Sequence, residues 1–290
     1  MAQLRTAAEA ATKQRLTSQY SRLAETAPPL LAELTRATHT GPAAMRREAA
    51  ELLTAVYRAA DAVAYKYGYY DLSARLIELM RWAARRAENP VLAATTAYVR
   101  TEVFFASSNL EAGLRALEDA LANLVVPEST AGQASFGALH MRAAVVAARL
   151  SEDPQVIEEH FREARRLTER VPEGIYNGTA FGPASLRIHE VSVAVELGDA
   201  TGAIEAAGNW APPDTLPAER RSHFFIDLHR AQLWLGLRDD AFESLQVARR
   251  IAPQHVREHS YVRDGLVTLL RLHKAPSHAL IRYAEWARAI

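Results

Sequence analysis

The last third of the chain repeats itself, and the repeat leaves few folds open. A run from Ser222 closes on Gly236; Ala241 follows five residues later, Leu245 four after that and Ala248 three further on, before Pro253. About one period earlier, Gly198 and Ala203 stand in the same relation. A turn, a small residue, a large apolar one and a second small one describe two helices that fold back and close tightly. Pro cannot continue the second helix. Ala241 and Ala248 are therefore expected to be buried where the helices cross.

That periodicity is the tetratricopeptide pattern. It predicts an all-α, tetratricopeptide-like right-handed helical solenoid of about five helix pairs with helical caps. Composition agrees: about a fifth of the chain is Ala, well above ordinary usage and the best helix former. Pairs start near Thr54, Ala94, Ala138, Ala184 and Ser222. Three segments follow: an N-terminal helical segment over 1–41, helix pairs over 42–253 and capping helices over 254–290, all in one body. Residues 2–26 read as one helix, broken by Ala27-Pro28-Pro29 before a short helix to Ala37. The largest irregularity is the Gly/Pro/Asn-rich stretch from Val171 to Pro183, with Tyr176 and Phe181 inside it.

Charge and composition exclude several classes. Lys and Arg number 34 against 34 Asp and Glu, so the chain carries no net attraction for a phosphate backbone and no direct DNA binding is expected. With no cysteine there is no disulfide frame, thiolate nucleophile or cysteine-type zinc site. No apolar stretch reaches the length of a membrane span, and residues 1–10 lack the core of a signal peptide, which points to a soluble, cytoplasmic protein. No Gly-rich phosphate loop or nucleophile elbow is present, so no cofactor and no catalytic residue are assigned.

Residues 255–259 spell His-Val-Arg-Glu-His, an inverted zinc-protease signature. Its third ligand would have to be Asp264 or Glu285, and Pro253 ends a helix two residues before it, so no metal site is assigned. His189-Glu190 lacks a second His. The groove is the better place for function. In tetratricopeptide arrays the first helix of each pair lines a concave surface, and those positions include Arg58, Tyr65, Tyr98, Glu102, Phe105, Arg142, Arg149, Arg230 and Trp234. Converging arginines and aromatics suit an anionic or amphipathic ligand, with Tyr176 and Phe181 as a lid and His189 as a further contact. The expected partners are a small-molecule or peptide effector and a second copy of the chain.

The stretch Thr179–His189, running into Val193–Asp199, together with Leu216–Arg221, Arg238–Ala241, Ile251–Pro253 and Val256–His259, resembles the C-terminal region of actinobacterial XRE-type helix-turn-helix transcription regulators. Only Lys13, Lys66 and Lys274 are lysine among 34 basic residues, in keeping with Arg-rich usage in that group. The resemblance is dense over 170–272 and looser upstream. It implies a ligand-sensing, oligomerising region of a regulator. In that family a DNA-binding domain precedes this region, and no compact unit with a recognition helix is legible before Gly41. The chain then reads as the sensor portion of a longer regulator or as a stand-alone relative, for which an adaptor binding a peptide or partner protein is the alternative. The family pattern carries Asn where this chain has Ser185.

Overall fold

A computed structural model describes residues 1–123 and 128–290, and among these the chain is all-α apart from one short hairpin. Six successive helix pairs are each joined by a three-residue turn. They are α1 (Ala2–Leu16) with α2 (Tyr20–Ala37), α3 (Ala43–Lys66) with α4 (Tyr70–Ala87), and α5 (Pro90–Ala106) with α6 (Leu110–Asn123). Next come α7 (Thr130–Leu150) with α8 (Pro154–Thr168), α9 (Pro183–Glu196) with α10 (Ala200–Ala207), and α11 (Ala218–Trp234) with α12 (Arg238–Ile251). The chain ends in α13 (Pro253–Arg257), α14 (Ser260–Leu272) and α15 (His278–Trp286).

The turns share one chemistry. In five of the six, the middle residue is left-handed: Ser18, Gly68, Ser108, Gly198 and Gly236, with φ between 55° and 80°. In each, its N–H reaches back three residues and the next N–H reaches back five, as in Gly236 to Leu233 and Leu237 to Gln232. This is the Schellman closure, which satisfies the last carbonyls of the first helix and reverses the chain. The small-large-small pattern then packs the second helix: Ala241, Leu245 and Ala248 are fully buried with Ile226 of α11 and Leu266 of α14.

The N-terminal segment departs from expectation. The break lies at Thr17–Gln19, and Pro28 and Pro29 sit inside α2. Tyr20, Leu23, Ala27, Leu30 and Leu34 form a buried stripe at helical spacing, which sets the helix. Both prolines are exposed, as are Ala24 and Glu25, whose carbonyls lose their helical donors and face water.

The expected 41/42 and 253/254 boundaries fall at helix starts, with Pro42 capping α3 and Pro253 opening α13. By their internal contacts the described residues sort into two compact units, Met1–Pro183 and Ala184–Ile290. The irregular stretch between α8 and α9 is a β-hairpin, β1 (Gly174–Tyr176) against β2 (Thr179–Phe181). Asn177 and Gly178 both take positive φ, 48° and 74°, giving the two-residue turn whose twist suits antiparallel strands. No described helix is long and apolar enough to cross a membrane.

Candidate functional site

The first unit gathers the chemistry along three helix faces. Arg58, Asp61 and Tyr65 lie on one face of α3, Tyr98, Glu102 and Phe105 on one face of α5, and Arg142 and Arg149 two turns apart on α7. Guanidinium groups and rings alternate. Arg142 lies 4.3 Å from the centre of the Tyr98 ring and 5.4 Å from that of Phe105. Arg149 covers Phe105 from 4.7 Å, and Arg58 stands 5.9 Å from Tyr98. Tyr65 meets Tyr70 edge-on. Tyr98 and Arg58 are buried; Glu102, Phe105 and Arg142 are half-buried.

The acids in this cluster are unequal. Burial, and then Glu102, push the Asp61 carboxyl up to about 9, against a hydrogen bond from Ser73 at 2.6 Å. Asp61 is therefore neutral at pH 7 and hydrogen-bonds Glu102. Burial and the Glu102 charge also raise Tyr65. Three guanidinium groups, Arg58, Arg142 and Arg149, thus stand with Glu102 and a neutral Asp61. Arg142 Nε and Glu102 Oε2 are buried with no hydrogen-bond partner among the described residues. Such atoms carry a desolvation cost that a ligand or water relieves.

The hairpin tip docks here. Arg58 Nη1 donates to Asn177 O at 2.7 Å, and Arg15 Nη2 of α1 donates to Gly178 O. Neither Arg15 nor Asp61 was singled out from the sequence, since buried polar residues on Ala-rich helices leave no local pattern. The two insert aromatics divide. Tyr176 is half-buried, its hydroxyl donating to Pro172 O at 2.8 Å. Phe181 is fully buried with its ring against Gly137 of α7, so it packs the core rather than covering a ligand.

The remaining sequence candidates lie in the second unit. His189 is buried, its Nδ1 2.7 Å from Ser185 O one turn back. Arg230 pairs with Glu196 at 2.8 Å and Asp227 at 3.5 Å, and lies over Tyr261 and Trp234. Burial opposes its charge, but Glu196 and then Asp227 outweigh that and raise its pKa. Trp234 is half exposed, at 52%. An open cleft of about 920 Å³ lies between α12 and α15, with Arg249 4.1 Å above the Trp286 ring and 4.9 Å from Tyr283.

No protein-family model matches the chain, and no curated protein sequence matches it significantly.

Proposed function

We propose that the chain is the ligand-sensing and oligomerising region of a bacterial transcription regulator, whose effector carries an anionic group on an apolar body. Within each unit the helix pairs would stack in the tetratricopeptide-like, right-handed manner, capped by terminal helices. The recurrent Schellman turn supports that arrangement, and the resemblance to actinobacterial XRE-type regulators supports the regulatory role.

The observation that carries the ligand class is the ladder Arg58–Tyr98–Arg142–Phe105–Arg149 beside a neutral Asp61. Arginine forks pair with carboxylate or phosphate, and the ring faces accept apolar chain. Native mass spectrometry of the intact chain tests the reading. A small-molecule mass retained by the parent and absent from Arg142→Ala supports it; the same mass on both proteins contradicts it. One observation favours the alternative, a stand-alone adaptor. The cleft between α12 and α15 sets Arg249 against Tyr283 and Trp286, which would suit an acidic, aromatic-bearing peptide.

A further inference from the structure

We infer that His223, His255 and His259, in the second unit, form a binding site for a divalent transition-metal ion of the nitrogen-preferring class, with Zn²⁺ the foremost. Each offers one ring nitrogen, and the three lie within 4.8 Å of one another. The sequence shows only the His255/His259 pair. The third imidazole comes from α11, 32 residues earlier, because the α13–α14 segment packs on that helix. Neither Asp264 nor Glu285, the third ligands the sequence offered, is part of this group. Nor do His255 and His259 share a helix. His255 is fully buried in α13, and His259 is the extended N-cap residue of α14.

The geometry suits the ion. Zinc holds imidazole nitrogen at about 2.0–2.1 Å, which in a tetrahedral site sets three ring centres about 5 Å apart. Here His223–His259 and His255–His259 are each separated by 5.3 Å, and His223–His255 by 6.2 Å. Ring rotations that bring the nitrogens up to about 1.5 Å closer would complete the triangle, leaving a fourth position for water or a ligand. Three neutral imidazoles favour Zn²⁺, Ni²⁺ or Cu²⁺ over Mg²⁺ and Ca²⁺, which take oxygen.

The surroundings favour positive charge. Buried Asp227 sits one turn along α11, with Oδ2 3.6 Å from His223 Nε2. It is fixed by the Ser192 hydroxyl and by Arg230, which also binds Glu196. The acidic side chains Asp227 and Glu196 thus share the Arg230 guanidinium on the side of the His223 ring. A carboxylate behind a ligating histidine is also the usual way its tautomer is set.

Titration of the untagged, chelator-stripped full chain with Zn²⁺ by calorimetry at pH 7.5 tests the site, with Co²⁺ absorption as a second readout. One ion should bind per chain, raising the melting temperature by a few degrees, and Co²⁺ should give the visible bands of a tetrahedral nitrogen site. His223→Gln and His259→Gln, at partly exposed positions, should each weaken binding at least tenfold, while His278→Gln on α15 leaves it unchanged. Stoichiometric binding that survives both site substitutions would overturn the assignment, as would no binding by the parent. The three rings would then be an aromatic cluster with Tyr261. Should either variant fail to fold, the parent's Co²⁺ spectrum decides alone, and absence of those bands refutes the site.

Discussion

Asp61 shows how burial at a single residue sets the charge of its surroundings. Its folded carboxyl keeps its proton up to about 9, whereas in the unfolded chain it loses it near 3.8. Between those values the folded state binds one proton more, so this group makes stability fall as pH rises through the window. Asp61→Asn keeps an acceptor for Ser73 and a donor for Glu102 without the ionisation. Urea melts should show the variant about 1–3 kcal/mol more stable than the parent at pH 8 and little different near pH 4, since the buried charge is what the substitution removes. A variant equally or less stable at pH 8 would contradict the neutral carboxyl. His229 shows the opposite sign. Burial holds its pKa down to about 4, with Nδ1 2.8 Å from Ala241 O, so its contribution is present above the usual 6.5 and lost as pH falls towards 4.

At the scale of elements, much was legible because the turn chemistry is local. Gly68, Gly198 and Gly236 mark helix reversals that the structure closes with the same pair of hydrogen bonds. Ser18 performs that role without glycine, and Pro28-Pro29 suggests a break that the buried stripe of α2 overrides. Proline breaks a helix only when the lost hydrogen bonds outweigh the packing, and here they face water. The hairpin was missed although Asn177-Gly178 is a strong turn signal, since its strands are only three residues each. Gly137 tests how the hairpin is seated. A methyl group there would lie 2.2 Å from the Phe181 ring, so Gly137→Ala should cost about 1–3 kcal/mol and speed amide exchange over residues 174–181. Parent-like stability and exchange would show that Phe181 does not anchor the hairpin.

At the scale of the whole molecule, the site was partly legible. Helical periodicity placed Arg58, Tyr98, Phe105 and Arg142 on facing sides of α3, α5 and α7, and the structure brings them together. It could not show that Arg230 and Trp234 belong to a second compact unit, because unit boundaries depend on contacts that repeat spacing does not encode. His223 was likewise invisible as a metal ligand, being paired with His255 and His259 only through helix packing. With 34 cationic and 34 anionic side chains, the chain by itself should show no sequence-specific retention of duplex DNA in a gel-shift at physiological salt. Specific retention would mean that a recognition helix lies among these elements. The central claim, that the arginine–aromatic ladder of the first unit takes an anionic amphiphile, is tested most directly by calorimetric titration with dodecyl phosphate. The parent should bind it at one site, Arg142→Ala should bind roughly ten- to hundredfold more weakly, and Arg249→Ala should match the parent. Affinity unchanged in Arg142→Ala, or lost only in Arg249→Ala, would contradict the account.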